Sequence, residues 1–365
     1  MTTSSTPLER AAVLEKVLEL TREVLRELGF AEAAQTAQAE SHLERDLGLH
    51  SLERLELIER VGAACAAALP ETLAADAETI ADLAEAVLAA QAGGRFAAHA
   101  PSEAVVRPKV QPPPLAPPPQ IGPVRRALEF LYGIWGYIAF TVFLLPTWLL
   151  AKFAPSRASA TRITQVGSRI FFWLAGIRIG VQGGEHLKNH VPCVFVSNHT
   201  SFIDVVLYLA MLKCVYRFVS KVEVASWPFI GTFLNRREDF RFKREDKHAR
   251  LDQARQLENA LRQGESLMIF PEGTFVAREG LRRFQLGAFR AAVLTGRPVV
   301  PIALRGVRQI FRDETVILRP GRIRITVGEP IFARTEPGHS TWSEIIRLRN
   351  ATRDFIGRHC GEPVE

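Results

Sequence analysis

An apolar run ends in Asn-His at Val194-Phe195-Val196-Ser197-Asn198-His199, and an aspartate follows five residues later in Thr200-Ser201-Phe202-Ile203-Asp204. Four apolar or small residues leading into Asn-His have the pattern of a buried strand stopping at the rim of a sheet. The run Phe202-Ile203-Asp204-Val205-Val206-Leu207 can begin a helix, which puts Asp204 in its first turn. His199 and Asp204 can then meet. A carboxylate on one imidazole nitrogen fixes the tautomer and leaves the other nitrogen as a general base for a hydroxyl proton. Such chemistry needs no activated Ser or Cys. The same spacing also fits a histidine that satisfies local hydrogen bonds beside a helix-capping aspartate, so the rest of the chain has to decide.

Three further stretches suit the same purpose. Gly231-Thr232-Phe233-Leu234-Asn235-Arg236 ends in a guanidinium, whose planar fork matches a phosphate. Phe270-Pro271-Glu272-Gly273-Thr274 follows a β-like run; Gly273 permits close backbone approach and Thr274 adds a hydroxyl donor. Val299-Val300-Pro301-Ile302 reads as a strand with proline at a tolerated position, shaping an apolar wall. Lys221 can add a cation to a phosphate site, or simply be solvated. Taken singly, each stretch is an ordinary turn or strand sequence.

The elements that must position these residues come in four blocks. Residues 1–96 have helical periodicity over 7–28, with Gly29 as a stop, and again over 79–90. Between them Leu47-Gly48-Leu49-His50-Ser51-Leu52 opens a helix with Leu52, Leu55 and Ile58 on one face. Ser51 fits an N-cap there. Residues 97–120 are a proline-rich linker reaching at most roughly 75 Å at ~3.1 Å per residue. Residues 121–180 hold an uncharged, aromatic-rich apolar run at 130–151, just beyond the ~20 residues a bilayer span needs. Arginines flank it on both sides, so charge gives no orientation. The shorter run at 170–177 cannot cross. The expectation is a re-entrant or interface-lying helix pair with Pro146 as its bend.

Residues 181–365 alternate β-like runs (193–197, 215–220, 267–270, 299–304 and 322–327) with helical ones, the clearest at 247–262. The fold class expected is α/β, a mixed sheet flanked by helices, behind a membrane-associated helix pair and a small all-α bundle.

Composition limits the partners. Residues 1–100 carry 8 Lys+Arg against 17 Asp+Glu, a net −9, while the remainder carries +16 within the chain's +7. An acidic module is therefore joined to a basic one. The basic charges are scattered and accompany no nucleic-acid recognition motif, which argues against a nucleic-acid partner. Cys65, Cys193, Cys214 and Cys360 show neither close pairing nor metal-ligand spacing, so no metal and a reducing compartment are expected. The polar, acidic start of the chain does not read as a secretory signal.

On the quoted motifs, residues 8–90 resemble an acyl carrier protein, with His50 where that family usually has Asp. The resemblance implies 4′-phosphopantetheine on Ser51, attached by a phosphopantetheinyl transferase. Residues 125–330 resemble the glycerolipid acyltransferases that include lysophosphatidate acyltransferases. Asn198, His199, Ser201 and Asp204 match the first block of that family, and Gly231, Phe233 and Arg236 the second. Phe270 to Thr274 match the third, and Val300, Pro301 and Ile302 the fourth. Phe284-Gln285-Leu286-Gly287 lacks the lysines common there, leaving Arg282 and Arg283 nearby.

The resemblance implies a His199 base oriented by Asp204, with Arg236, Glu272 and Gly273 handling an acceptor phosphate. It implies an acyl thioester donor and a membrane lipid acceptor such as lysophosphatidate, and because a carrier modified in the cytosol has to reach His199 within one chain, work at the cytoplasmic face of the cell membrane is expected. A tethered carrier also has an effective concentration near the millimolar range, and its opposite charge favours docking, so the chain's own carrier is an expected donor. Two alternatives stay open: the same chemistry on another acceptor in a specialised lipid or secondary-metabolite pathway, and a non-catalytic acyl-carrier scaffold.

Overall fold

The structure is a computed structural model that describes residues 7–93, 122–187, 192–243, 249–273, 279–311, 317–334 and 340–364. The expected linker lies outside the described residues, as does Thr274. The chain forms two compact units, one built on the N-terminal helices and one on a sheet.

The first unit contains α1 (Pro7–Glu27), α2 (Ala31–Thr36), α3 (Ser51–Ala64), α4 (Leu73–Asp76) and α5 (Ile80–Gln91). Val17, Val24 and Leu25 of α1, Leu57 and Val61 of α3, and Leu83 and Val87 of α5 form its buried interior. Thr79 closes the start of α5 with a capping box to Asp82, satisfying amides that the helix itself leaves unpaired. Arg54 is buried in this small core, where its guanidinium donates to the carbonyls of Leu49, Ala74 and Ala77. A buried cation is tolerable when its donors are met this way.

The second unit opens with α6 (Pro123–Lys152) and α7 (Arg157–Leu174). The helix continues through Pro146, so the chain does not reverse there. The reversal falls between Lys152 and Arg157, where the Ser156 side chain caps α7 by accepting from Ser159 N. A stripe of mostly small residues on α6, Gly133, Gly136, Ala139, Phe143, Thr147 and Ala151, is buried. Gly167 of α7 is part of the reason the two helices lie close, because a Cβ there would stand 2.2 Å from Thr147 Oγ1.

After the helix pair come β1 (Arg178–Gln182), β2 (Val194–Ser197), α8 (Ile203–Met211), β3 (Tyr216–Lys221), α9 (Ile230–Arg237), β4 (Phe240–Phe242), α10 (Ala249–Arg262), β5 (Ser266–Ile269), α11 (Gly287–Thr295), β6 (Val299–Arg305), α12 (Val307–Ile310), β7 (Arg322–Val327) and α13 (Thr341–Cys360). The sheet runs β1-β7-β6-β2-β5-β3-β4. Among the described strands only the β6–β7 pair is antiparallel, giving the mixed α/β sheet expected.

Every residue of β2 and β5 is buried, as continuous apolar strands are when both faces of a sheet are covered. β1 and β4 lie at the two edges, and β1 begins at Arg178, ahead of the expected boundary at 181. Pro301 stands inside β6, away from either edge of the sheet. Its carbonyl accepts from Gly328 N at 2.8 Å, so the missing N–H faces the same side and forgoes one reciprocal bond, to Gly328, at the end of the β6–β7 ladder, leaving the pairing with β2 untouched.

Candidate active site

β2 and β5 are parallel neighbours, so the loops leaving their carboxyl ends emerge on one edge of the sheet, the edge where α/β sheets bind ligands. The β2 loop carries Asn198 and His199. Asn198 continues the strand pairing with its side chain, donating to Leu304 O at 3.0 Å and accepting from Leu304 N at 2.8 Å. The residue after the strand is thereby fixed to β6, and His199 follows from a rigid point.

His199 Nδ1 lies 2.9 Å from Asp204 Oδ2. The carboxylate also accepts from Thr200 N at 2.7 Å and Ser201 N at 2.9 Å. Asp204 is fully buried in the first turn of α8, an environment that suits an ionised carboxylate only with such donors around it. An anionic acceptor at Nδ1 selects the tautomer with hydrogen on Nδ1 and the lone pair on Nε2.

The β5 loop supplies the opposite wall. The ring of Phe270 stacks on the imidazole with centroids 4.1 Å apart and planes 16° from parallel. Phe218 stacks behind Phe270 in turn. Glu272 is buried, accepting from His199 N at 2.8 Å through Oε1 and from Arg282 N at 3.1 Å through Oε2. Burial pushes the Glu272 carboxyl up to about 7, against the opposing pull of the two backbone N–H groups and the imidazole. Gly273 has φ +79°, and a Cβ there would come within 2.7 Å of Gln285 Nε2.

The structure thus brings His199, Asp204, Glu272 and Gly273 together. Both Glu272 oxygens face backbone N–H groups, which suits a brace between two loops better than contact with a phosphate. Arg236 is exposed on α9 with its guanidinium on the carbonyl of Lys152, at the end of α6. Lys221 is exposed at the carboxyl end of β3, on the same edge of the sheet as His199. Phe270 and Asn198 stood inside the quoted motifs without a role of their own. An aromatic residue directly after a strand and an amide directly before the histidine were the available signals.

Ser51 is the first residue of α3, with His50 rather than the serine in the N-cap position. The residue is only 6% exposed. Its hydroxyl makes no hydrogen bond among the described residues, while the helix N-terminus it occupies favours a phosphate. The free hydroxyl and the helix N-terminus fit a phosphopantetheinyl group. His50 is exposed, with Nδ1 3.5 Å from Glu44 Oε1.

The second unit has the fold of an α/β acyltransferase. The crystal structure of the 1-acyl-sn-glycerophosphate acyltransferase PlsC from Thermotoga maritima superposes with a TM-score of 0.52, covering 63% of this chain and 97% of that one at 18% identity.

Residues 178–305 match the acyltransferase family and residues 15–87 the phosphopantetheine attachment site family, so the chain carries an acyltransferase domain behind a carrier-type domain. A chloroplastic 1-acyl-sn-glycerol-3-phosphate acyltransferase of Brassica napus is 36% identical over 154 residues, 42% of this chain and 44% of the relative. The 1-acyl-sn-glycerol-3-phosphate acyltransferase of Pseudomonas aeruginosa is 29% identical over 208 residues, 56% of this chain and 77% of the relative. The chain spans less than half the length of the chloroplast relatives it matches.

Proposed function

We propose that the protein is a membrane-associated O-acyltransferase that moves a fatty acyl group from a phosphopantetheine thioester to the hydroxyl of a glycerol phosphate lipid such as lysophosphatidate. The observation that carries this reading is the His199–Asp204 pair at the carboxyl end of β2, backed by Phe270 and Glu272. The matched families and the names of the relatives support the reaction class and the acceptor.

His199 Nε2 takes the hydroxyl proton as the acceptor oxygen bonds to the thioester carbon. Asp204 stabilises the imidazolium that forms. The C–S bond then breaks, and the proton passes to the departing sulfur. General base assistance of this kind is worth ~10²–10⁴-fold, and alignment of the two reactants supplies much of the remainder. When bound at Ser51, the phosphopantetheinyl group supplies the thiol that carries the acyl chain. The chain's own part there is to present the serine at the start of α3.

Two observations favour the second reading, in which the acceptor is a different lipid. Arg236 is engaged by Lys152, and Gln285 stands where the resembling family has lysine. The phosphate grip is therefore thinner than the resemblance implies. Lipid analysis after incubating the acyl-loaded full chain with lysophosphatidate and with phosphate-free lysolipids separates the two. A product only from the phosphate-free set sinks lysophosphatidate as acceptor.

Donor delivery in cis has its own test. Co-expression with a phosphopantetheinyl transferase is expected to add one phosphopantetheinyl mass to the wild type and none to Ser51→Ala. Transfer without added thioester should disappear in that variant. Equal rates from free acyl-CoA in both proteins would remove the case for the tethered carrier.

Membrane association is supported by α6, which inverts the usual amphipathic pattern. It is the one described helix long and apolar enough to cross a bilayer. Leu128, Leu131, Trp135, Ile138, Val142, Leu145 and Leu149 are exposed along its outer face, a face that suits the lipid interface. Placement at the cytoplasmic face of the cell membrane, monotopic or re-entrant, keeps carrier and base on one side. The full chain is expected to pellet with phospholipid vesicles, and a variant with Leu128, Leu131 and Leu145 changed to Ser should stay largely in the supernatant.

A further inference from the structure

α13 ends at Cys360, and Gly361, with φ +73°, turns the chain out of the helix. The three residues that follow are tied to a loop beside the site. Leu281 N donates to Pro363 O at 2.8 Å, and Leu281 pairs with Val364 in an isolated parallel bridge. Gly280 N donates to Glu362 Oε2 at 3.1 Å. Glu362 also holds the guanidinium of Arg308 on α12, at 2.9 Å from Nε to Oε1 and 3.3 Å from Nη2 to Oε2. Both side chains are only 13% exposed.

This loop leads straight to His199. One residue after Leu281, Arg282 N donates to Glu272, whose other oxygen accepts from His199 N. A second branch runs through α12: Phe311, the residue that ends it, accepts at its carbonyl from Ser201 Oγ at 3.0 Å, two residues past His199. The two branches close a ring of hydrogen bonds around the histidine loop, and Glu362 is where they join. None of these tail residues belongs to the motif blocks.

We propose that residues 361–364 form a strap that sets the position of His199, with Glu362 as its positioning residue, a proposal that rests on the reading of His199 as the base. Glu362 touches neither acceptor nor donor in this scheme. It acts by holding Gly280 and Arg308, and through them Glu272 and Ser201. Catalytic geometry is demanding enough for the device to matter, since a misplacement of ~1 Å originating far from the chemistry can cost about 10²-fold in rate.

The test compares the full-length wild type, Glu362→Ala, Glu362→Gln and Arg308→Gln. It measures kcat and acceptor KM, melting temperature, and the rate at which diethyl pyrocarbonate labels His199, read by peptide mass spectrometry. Glu362→Ala is expected to lower kcat by about 10- to 100-fold with acceptor KM within about twofold, and to change the His199 labelling rate. Glu362→Gln keeps one acceptor oxygen and should fall between.

A folded Glu362→Ala with kcat within about twofold of wild type, or with His199 labelled at the wild-type rate, overturns the proposal. Should Glu362→Ala fail to fold, Glu362→Gln and Arg308→Gln are judged by the same two criteria. Retained transfer in His199→Ala would instead sink the base assignment, and the labelling rates then decide the strap alone.

Discussion

Replacing His199 by alanine is expected to lower acyl transfer by ~10²–10⁴-fold while leaving the protein folded. The histidine ring is partly exposed and lies at the end of a strand whose anchoring belongs to Asn198, so its removal should cost little stability. Asp204 behaves differently. Its carboxylate accepts from two backbone amides as well as the imidazole, and it is fully buried.

Asp204→Ala therefore leaves buried donors unmet at about 1–3 kcal/mol each and should lower the melting temperature as well as the rate. Asp204→Asn retains the shape, and its amide oxygen can take the place of Oδ2, where the imidazole and both backbone donors converge, but it lacks the charge that stabilises the imidazolium. Its rate should approach that of His199→Ala with a smaller change in stability. Steady-state kinetics beside thermal melts resolve the three variants, and a His199→Ala enzyme that keeps more than about a tenth of its rate would refute the base.

Glu272 should make stability depend on pH in a window set by its own burial. Its folded carboxyl is pushed up to about 7 from an ordinary value of 4.5. As pH rises between those two values, the unfolded chain loses its proton while the folded chain keeps it. The folded state is thus destabilised progressively through that window, by roughly 3 kcal/mol in total, with no further change above it. Glu272→Gln lacks the titration. The stability difference between wild type and Glu272→Gln should therefore move against the wild type from acid to neutral pH, as read by urea melts across the range.

Activity should move the other way. Only the ionised carboxylate accepts fully from both His199 N and Arg282 N, so the wild-type rate should rise as pH approaches 7. Glu272→Gln, with an amide donor facing one of those N–H groups, should be slower throughout. A stability difference that is flat with pH would show that this carboxyl does not titrate in the window.

Much of the site was open to sequence reasoning for a physical reason: its central pair is local. Asp204 stands only five positions after His199, and a strand end followed by a helix start is enough to bring them together. The strands buried on both faces were equally plain from their apolar runs. β1 was not, because an edge strand reading Arg-Ile-Gly-Val-Gln carries neither an apolar run nor much burial. β4 is three residues long.

Ser51 stood out from its motif as the candidate attachment point, but its neighbour His50 holds the N-cap position, a one-residue shift in a helix start that lies below what periodicity resolves. Arg236 and Glu272 mark the harder limit. What each holds depends on contacts distant in sequence, with Lys152 for the first and His199 and Arg282 for the second, and no local pattern announces them.

The outward face of α6 has a consequence for the protein before it ever meets a substrate. A helix that buries its small residues and turns its leucines and tryptophan outward has no comfortable state in plain buffer. Released from the ribosome away from lipid, such chains are expected to shield these faces against one another, so that the size they show on a column should change with the detergent added.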